Sequence, residues 1–456
     1  MTRRWLGMLS LDEMLWYITG TSELDTDPTN LAYIPLADDG ATILSHRDQD
    51  NAGGNPGSRG GMVLGTVNDF TFVDSGQTHG KDFYALYFRS YFSSHGGQGD
   101  SIISGPCTHY GGHMTSAAGA VRVFWHIDPA EAEGKFHTGL EYYDGANWQN
   151  LGDSGIIDRP TDYDLWCLEV DEDAETPRAR LRRYTSGAWT DDGNDGAVPW
   201  EEDAGIGGAG IAGTPSLGWE HLGNKVPTGM TQRFADLYWV EGDSLADVDE
   251  LVRAVHARYP MSDNPEGFAG YDGWTPVGNF NCRHADYRWR TVDDVEDEDD
   301  EANDYISSDP VGTENQLFEI EDVDGTLEAV YVAMLTKTDA SGDPLSDKYV
   351  ATIDDAAPIE YTAVPGSSVP NQWTWLYYFF EKTPESVPQA WSNALFNGTG
   401  ASGDYGFQVG PRSVDVASRV YGVVVGFLAS GSPSRMTKHF CPAAEGFPHS
   451  QVVMTL

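Results

Sequence analysis

The run Leu165-Trp166-Cys167-Leu168-Glu169-Val170-Asp171-Glu172-Asp173-Ala174-Glu175-Thr176-Pro177-Arg178-Ala179-Arg180-Leu181-Arg182-Arg183-Tyr184 decides how the chain folds. Trp166, Leu168 and Val170 alternate with Leu165, Cys167 and Glu169, the period of two that a β-strand imposes on its side chains. Past Pro177 the alternation resumes with arginines. A hairpin turning at residues 174–177 sets Asp173 opposite Arg178, Asp171 opposite Arg180 and Glu169 opposite Arg182. The spacing predicts adjacent antiparallel strands over 165–172 and 179–185. One exposed face carries the charge ladder, and Val170 and Leu181 point to the other.

The same period extends outward over residues 62–240. Val121, Val123, Trp125 and Ile127 alternate with Arg122, Phe124 and His126, and Tyr142-Tyr143-Asp144-Gly145 and Ser186-Gly187 are hairpin turns. Strands punctuated every ten residues or so, with no helix between them, make an antiparallel sandwich. A second β region runs over 273–430, through Leu327 to Thr336, Trp373 to Phe380 and Val420 to Leu428. Between the regions a helix is expected over 244–258. Ser244 caps it, Leu245, Val248, Leu251, Val252 and Val255 form its stripe, and Pro260 follows. Residues 261–272 form a Pro/Gly/Asp linker and 431–456 an irregular tail. At the other end, residues 1–61 form an assembly arm. Ser10 and Glu13 make a capping box for a short helix whose apolar stripe, Leu11, Met14, Leu15 and Ile18, is expected to dock on another chain.

Composition sets the environment. The 456 residues carry 71 acidic against 27 basic side chains, a formal charge of −44. In dilute buffer such a surface repels itself, whereas in molar salt the screening length falls to roughly 3 Å. The acid is spread among 14 Trp, 22 Tyr and 18 Phe, enough for packed cores, so the excess charge reads as adaptation to brine rather than disorder. The charge also disfavours nucleic acid as a partner. No apolar run is long enough to span a bilayer, and Asp12 and Glu13 interrupt the N-terminal one, so neither membrane insertion nor a signal peptide is expected.

Four groupings invite a chemical reading. Glu169, Asp171 and Asp173 have the spacing of the E-x-D-x-E strand of one glycosidase class, against which stands their matching by arginines. Cys107, His109 and His113, with His126 and His137 on following segments, make a loose Cys/His group without zinc spacing; His109 and His113 are its best pair. The acidic loop at 293–304 offers Asp297, Asp299 and Asp300 to calcium, magnesium or other salt cations, in no EF-hand order. Asn397-Gly398-Thr399 matches the glycosylation sequon. Cys107, Cys167, Cys282 and Cys441 lie too far apart for a disulfide framework and read as buried thiols. Phosphate-loop, dinucleotide, nucleophile-elbow and H-E-x-x-H motifs are absent from the sequence. No catalytic residue and no organic cofactor is expected, and most tryptophans are expected in the cores.

Three stretches of the first region, Phe83-Tyr84-Ala85-Leu86-Tyr87-Phe88, Trp166 to Val170 and Phe234-Ala235-Asp236-Leu237-Tyr238-Trp239-Val240, resemble the concanavalin A/laminin-G jelly-roll sandwich. The second region is similar to a β domain of head-tailed virus structural proteins. The matching stretches are Gly273-Trp274-Thr275-Pro276, Val292-Asp293-Asp294 with Asp304 to Ser308 and Gly312, Leu327 to Val332, and Trp391 with Leu395 ahead of Tyr405-Gly406-Phe407. The acidic insert at 296–303 departs from that pattern. With the brine composition, the resemblance implies a non-enzymatic virion protein of a head-tailed virus of halophilic archaea, in the tail, baseplate or fibre, assembled in the host cytoplasm. The expected partners are other virion proteins, further copies of itself, and a host surface glycoprotein or glycan. A capsid decoration or turret protein is the alternative within that class. A secreted haloarchaeal lectin or glycosidase is the alternative outside it. The fold expected is mostly β: two antiparallel sandwiches over 62–260 and 273–430, with a short N-terminal helix and one helix between.

Overall fold

The computed structural model of the chain describes residues 3–10, 31–32, 36–38, 62–63, 70–74, 80–92, 101–108, 118–127, 135–158, 164–185, 187–190, 198–207, 216–222, 232–263, 268–277, 305–309, 312–338, 348–353, 357–362, 373–398, 405–414 and 417–430. The alternation read along the chain becomes four sheets, antiparallel at all but one strand pair among the described residues.

The first sheet has eight strands. Its main path is β1 (Arg4–Ser10), β16 (Gln232–Gly242), β6 (Phe83–Phe92), β11 (Asp164–Asp171), β12 (Arg178–Thr185) and β13 (Ala188–Thr190). Alongside, β4 (Met62–Val63) pairs with β16, and β14 (Glu201–Glu202) pairs with β12. The second sheet runs β10 (Trp148–Asp158), β9 (Lys135–Tyr143), β8 (Val121–Ile127), β7 (Ser101–Cys107), β15 (Ser216–Leu222), β5 (Phe70–Asp74) and β3 (Leu36–Asp38). These two sheets face each other through Trp125 of β8, which meets Phe88 of β6 and Trp166 of β11 edge-on, at centroid distances of 6.3 and 6.4 Å. Burying one such ring removes on the order of 200 Å² from water, ~5 kcal/mol before entropy is counted.

The third sheet runs β19 (Thr275–Val277), β20 (Tyr305–Ser307), β28 (Ser418–Ser430), β23 (Thr326–Thr338), β26 (Trp373–Phe380) and β2 (Leu31–Ala32), with β17 (Ala254–Arg258) also on β28. The fourth runs β18 (Pro260–Asp263), β22 (Phe318–Ile320), β27 (Phe407–Val414), β24 (Lys348–Ile353) and β25 (Ile359–Thr362), with β21 (Thr313–Asn315) on β27. Phe380 of β26 meets Phe407 of β27 at 5.7 Å, and Tyr361 of β25 meets Phe380 at 4.9 Å, which joins this pair of sheets face to face. Buried side chains from all four sheets form one continuous apolar cluster.

Two hairpins form where expected. In β9–β10, Asp144 Oδ1 accepts from the backbone N–H groups of Ala146 and Asn147 at 2.7 Å each, and Gly145 takes φ +97°. In β12–β13, Thr185 pairs with Ala188 across Gly187 at φ +83°. Both glycines occupy backbone that side chains disfavour.

The helix expected over 244–258 is a single turn, α1 (Leu245–Val248). Asp249 is extended, Glu250 is left-handed at φ +54°, and the chain then enters β17. Val255 and Ala257 are buried and His256 less so, the period of a strand. Cross-strand pairing with β28 therefore overrides a spacing of apolar residues that fits a helix equally well. The expected linker also changes character, because Pro260–Asp263 is a strand paired with β22. The second helix, α2 (Asn393–Asn397), is capped by Ser392, whose hydroxyl accepts from Leu395 N–H at 3.3 Å.

The arm is expected to pack on another chain, but its described part lies on its own. β1 pairs antiparallel with β16, from Arg4 opposite Glu241 to Ser10 opposite Asp236. The Tyr377 hydroxyl of β26 donates to Met8 O at 2.9 Å, so β1 touches both halves of the molecule. Trp5, Leu6 and Met8 are buried there. The expected docking stripe, Leu11, Met14, Leu15 and Ile18, lies outside the described residues, as do the acidic loop and the tail.

Candidate functional site

The carboxylate strand forms the hairpin the sequence predicts, in a register two residues away. Glu169 pairs with Arg180, Asp171 with Arg178, and Cys167 with Arg182. The turn spans residues 172–177 rather than 174–177, and Asp171 Oδ1 closes its start by accepting from Ala174 N–H at 3.1 Å. A slip of two keeps every side chain on its expected face, whereas a slip of one would not.

Burial departs further from expectation. The ladder face is covered: Glu169 has 0% exposure, and Asp171 and Arg182 are also buried. Its cover comes from afar. Tyr87 and Tyr238, stacked at 4.7 Å on the same face, hold the segment after α1. The Tyr238 hydroxyl donates to Leu251 O at 2.7 Å, and Leu251 N–H donates to the Tyr87 hydroxyl at 3.1 Å. That segment brings Asp249 and Glu250 over the arginines. Arg182 bonds to Asp249 and, at 2.9 Å, to Glu250, while Arg180 bonds to Glu169 and lies 3.4 Å from Asp249. Trp200 stacks on Arg178 and Arg180 at 4.5 and 4.4 Å, and Trp189 on Arg182 at 5.3 Å.

Burial raises the Glu169 carboxyl to about 8, the nearby Asp249 carboxylate pushes the same way, and Arg180 opposes both. Among the described residues its Oε1 accepts no hydrogen bond, and Arg182 Nη1 approaches only to 3.7 Å. A proton on Oε1, donated to Asp249, accounts for both facts. The cluster then balances two arginines, Arg180 and Arg182, against Asp249 and Glu250. Burial likewise pushes the Cys167 thiol well up.

The outer face of the second sheet is built differently. Trp125 points inward, so its strand neighbours Arg122, Phe124 and His126 point outward. Opposite them on β9 stand Glu141, Gly139 and His137. The Phe124 ring covers Gly139, where a Cβ would come within 2.3 Å of it, so only glycine fits. Arg122 is buried; its Nη2 lies 2.7 Å from Glu141 Oε2, and its guanidinium lies 3.9 Å over the Trp148 ring. Tyr143 and Trp148, partners across the hairpin, sit 5.3 Å apart. The result is a strip of half-buried aromatic rings and fixed hydrogen-bonding groups: Tyr143, Trp148, Glu141, His126 and His137.

Of the Cys/His group, Cys107 is buried, and His109 and His113 lie outside the described residues. His126 and His137 come together as cross-strand partners. Asp297, Asp299 and Asp300 lie outside the described residues. Among those described, no group of three or more His, Cys, Asp or Glu is placed to hold a metal ion. The sequon asparagine is occupied: Asn397 Oδ1 accepts from Val323 N–H at 2.8 Å and its Nδ2 donates to Val323 O at 3.0 Å. Sequence reasoning missed Asp249, Glu250, Trp200, Tyr143 and Trp148. The hairpin turn signal could have paired Tyr143 with Trp148, but nothing local connects residue 182 with residue 250.

No family model and no curated protein matches the chain. Among solved structures it is similar to the Emp47p carbohydrate recognition domain, with 12% identity over 40% of this chain and 84% of that one, at a TM-score of 0.28. It is similar to a legume lectin-like domain from Entamoeba histolytica, with 7% identity over 39% and 81%, at a TM-score of 0.26. It is also similar to the CBM2 module of the evolved Dit of Lactobacillus casei BL23 phage J-1, with 11% identity over 52% and 95%, at a TM-score of 0.29. The likeness is one of strand arrangement over part of the chain.

Proposed function

We propose that this protein is a non-enzymatic virion component of a head-tailed virus of halophilic archaea, in the tail, baseplate or fibre, and that it holds a host-surface glycan on the outer face of its second sheet. The observation that carries the glycan reading is the strip formed by Tyr143, Trp148 and Glu141 beside Arg122. Half-exposed aromatic rings offer a flat apolar surface to the C–H face of a sugar, and neighbouring fixed polar groups take its hydroxyls. Two features support the non-enzymatic reading. Glu169, the first carboxylate of the suggestive run, is fully buried and bonded to Arg180, and the second, Asp171, is held by Arg178 at 2.8 Å. The virion assignment rests on the order of matching stretches in residues 273–407 and on the charge of −44.

The test is binding of the purified protein to haloarchaeal surface-layer glycoprotein in molar salt, before and after enzymatic removal of its glycans. Trp148→Ala and Glu141→Gln should each weaken binding at least tenfold, with thermal midpoints measured alongside to separate lost contacts from lost folding. Equal binding by wild type and both variants refutes the assignment of this face. The same strip would serve a secreted lectin, and the location of the protein distinguishes the two: purified particles for a virion component, virus-free culture medium for a lectin.

A further inference from the structure

We infer that His126 and His137 form a binding site for a late first-row divalent cation (nickel, copper or zinc), with Asp153 as the carboxylate that positions His137. The two histidines are direct partners across β8 and β9 on the outer face of the second sheet, and their rings lie 5.9 Å apart at an interplanar angle of 32°. Metal–imidazole bonds of 2.0–2.1 Å put the ring centroids of two ligands to one ion about 5–6 Å apart, at angles from tetrahedral to more open. The centroid separation of the cross-strand pair thus falls within the range two ligands of one ion require.

Asp153 supplies the second observation. Its Oδ1 lies 3.3 Å from His137 Nδ1 and also accepts from Gly155 N–H at 2.7 Å. A bulge between Asp153 and Ile156, with Gly155 at φ +70°, turns this carboxylate toward the ring. A carboxylate accepting from Nδ1–H fixes the proton on that nitrogen and leaves the Nε2 lone pair for a metal, the arrangement found around metal-bound histidines. His137 is 20% exposed and Asp153 44%, so an ion has access and water completes its coordination.

Donor chemistry selects the ion. Two protein nitrogens suit nickel, copper and zinc, whereas the magnesium and calcium abundant in brine prefer oxygen. A coordinate bond to nitrogen also survives the screening that suppresses purely ionic sites in molar salt. The site needs two protein donors, not three, and it stands independently of the glycan reading.

The test is calorimetric titration of the full chain with Ni²⁺ in molar NaCl at neutral pH. One site is expected in the wild type, lost in the His126→Gln/His137→Gln double variant. Asp153→Asn should keep the stoichiometry and weaken affinity about tenfold or more. Unchanged titration in the double variant overturns the site, and unchanged affinity in Asp153→Asn overturns the positioning role. If the double variant does not fold, the electron paramagnetic resonance spectrum of wild type with one equivalent of Cu²⁺ decides. Coupling to two nitrogens supports the site, and oxygen-only coordination overturns it.

Discussion

Replacing Glu169 by glutamine should stabilise the protein at alkaline pH and leave it nearly unchanged in acid. The carboxyl sits between Arg180 and Asp249 with no exposure, and burial raises it from 4.5 to about 8. A group that titrates at 4.5 in the unfolded chain and near 8 in the fold makes stability depend on pH between those values. At ~1.4 kcal/mol per pH unit, the whole window is worth about 5 kcal/mol. The folded state holds the extra proton, so the contribution is complete below pH 4.5, is lost as pH rises, and is gone above about pH 8. The side-chain amide of the Glu169→Gln variant copies the neutral acid at every pH, with an oxygen to accept from Arg180 and an NH₂ group to donate to Asp249. Urea unfolding of both proteins in molar salt should show the variant gaining several kcal/mol on the wild type between pH 5 and pH 9. A difference that stays flat, or that favours the wild type as pH rises, would mean Glu169 is charged in the fold and would refute the shared-proton account.

Removing one cation of the same cluster by Arg182→Met should cost about 1.5–3 kcal/mol, because Asp249 would then keep only Arg180, at 3.4 Å; urea midpoints measure it, and a loss under 1 kcal/mol would contradict the pairing. Lowering salt below about 1 M should depress the thermal midpoint, since the excess of 44 negative charges is then no longer screened, and a midpoint equal in molar salt and dilute buffer would remove the brine reading. Asn397→Ala should cost about 1–3 kcal/mol through its two bonds to Val323, and mass spectrometry of the folded protein should find Asn397 unmodified.

What the sequence discloses here depends on distance along the chain. The strand Trp373–Phe380 has the bounds of the aromatic run read from the sequence, and both hairpin turns sit where Gly145 and Gly187 require them. These features are set by neighbours within ten residues. The ladder of Glu169 and Asp171 keeps its predicted face, because period two fixes faces, but its register slips by two, because a loop of either length satisfies the same alternation. Its burial is illegible locally: the cover comes from Asp249 and Glu250, some 70 positions away. Val255 reads wrongly as helical for the related reason that an apolar residue at helical spacing also suits a strand, and only β28 decides. Of the candidate glycan strip, Tyr143 is legible as a turn residue, whereas Trp148 is indistinguishable by sequence from the core tryptophans.

The seating of β1 bears on how the molecule is made. Arg4 meets Glu241 across 237 positions of sequence, and Met8 meets Tyr377 across 369. At a synthesis rate of 5–20 residues per second, roughly 20–70 s separate the emergence of Met8 from that of Tyr377. Through that interval Trp5, Leu6 and Met8 have no complete site to enter, and pairing over such separations is intrinsically slow. β1 therefore leaves the ribosome long before the strand that completes its site, and is locked in place only after Tyr377 has emerged. The site around β1 is complete only once Tyr377 exists, and a nascent chain truncated before residue 377 keeps Trp5, Leu6 and Met8 available to chaperones and to neighbouring chains.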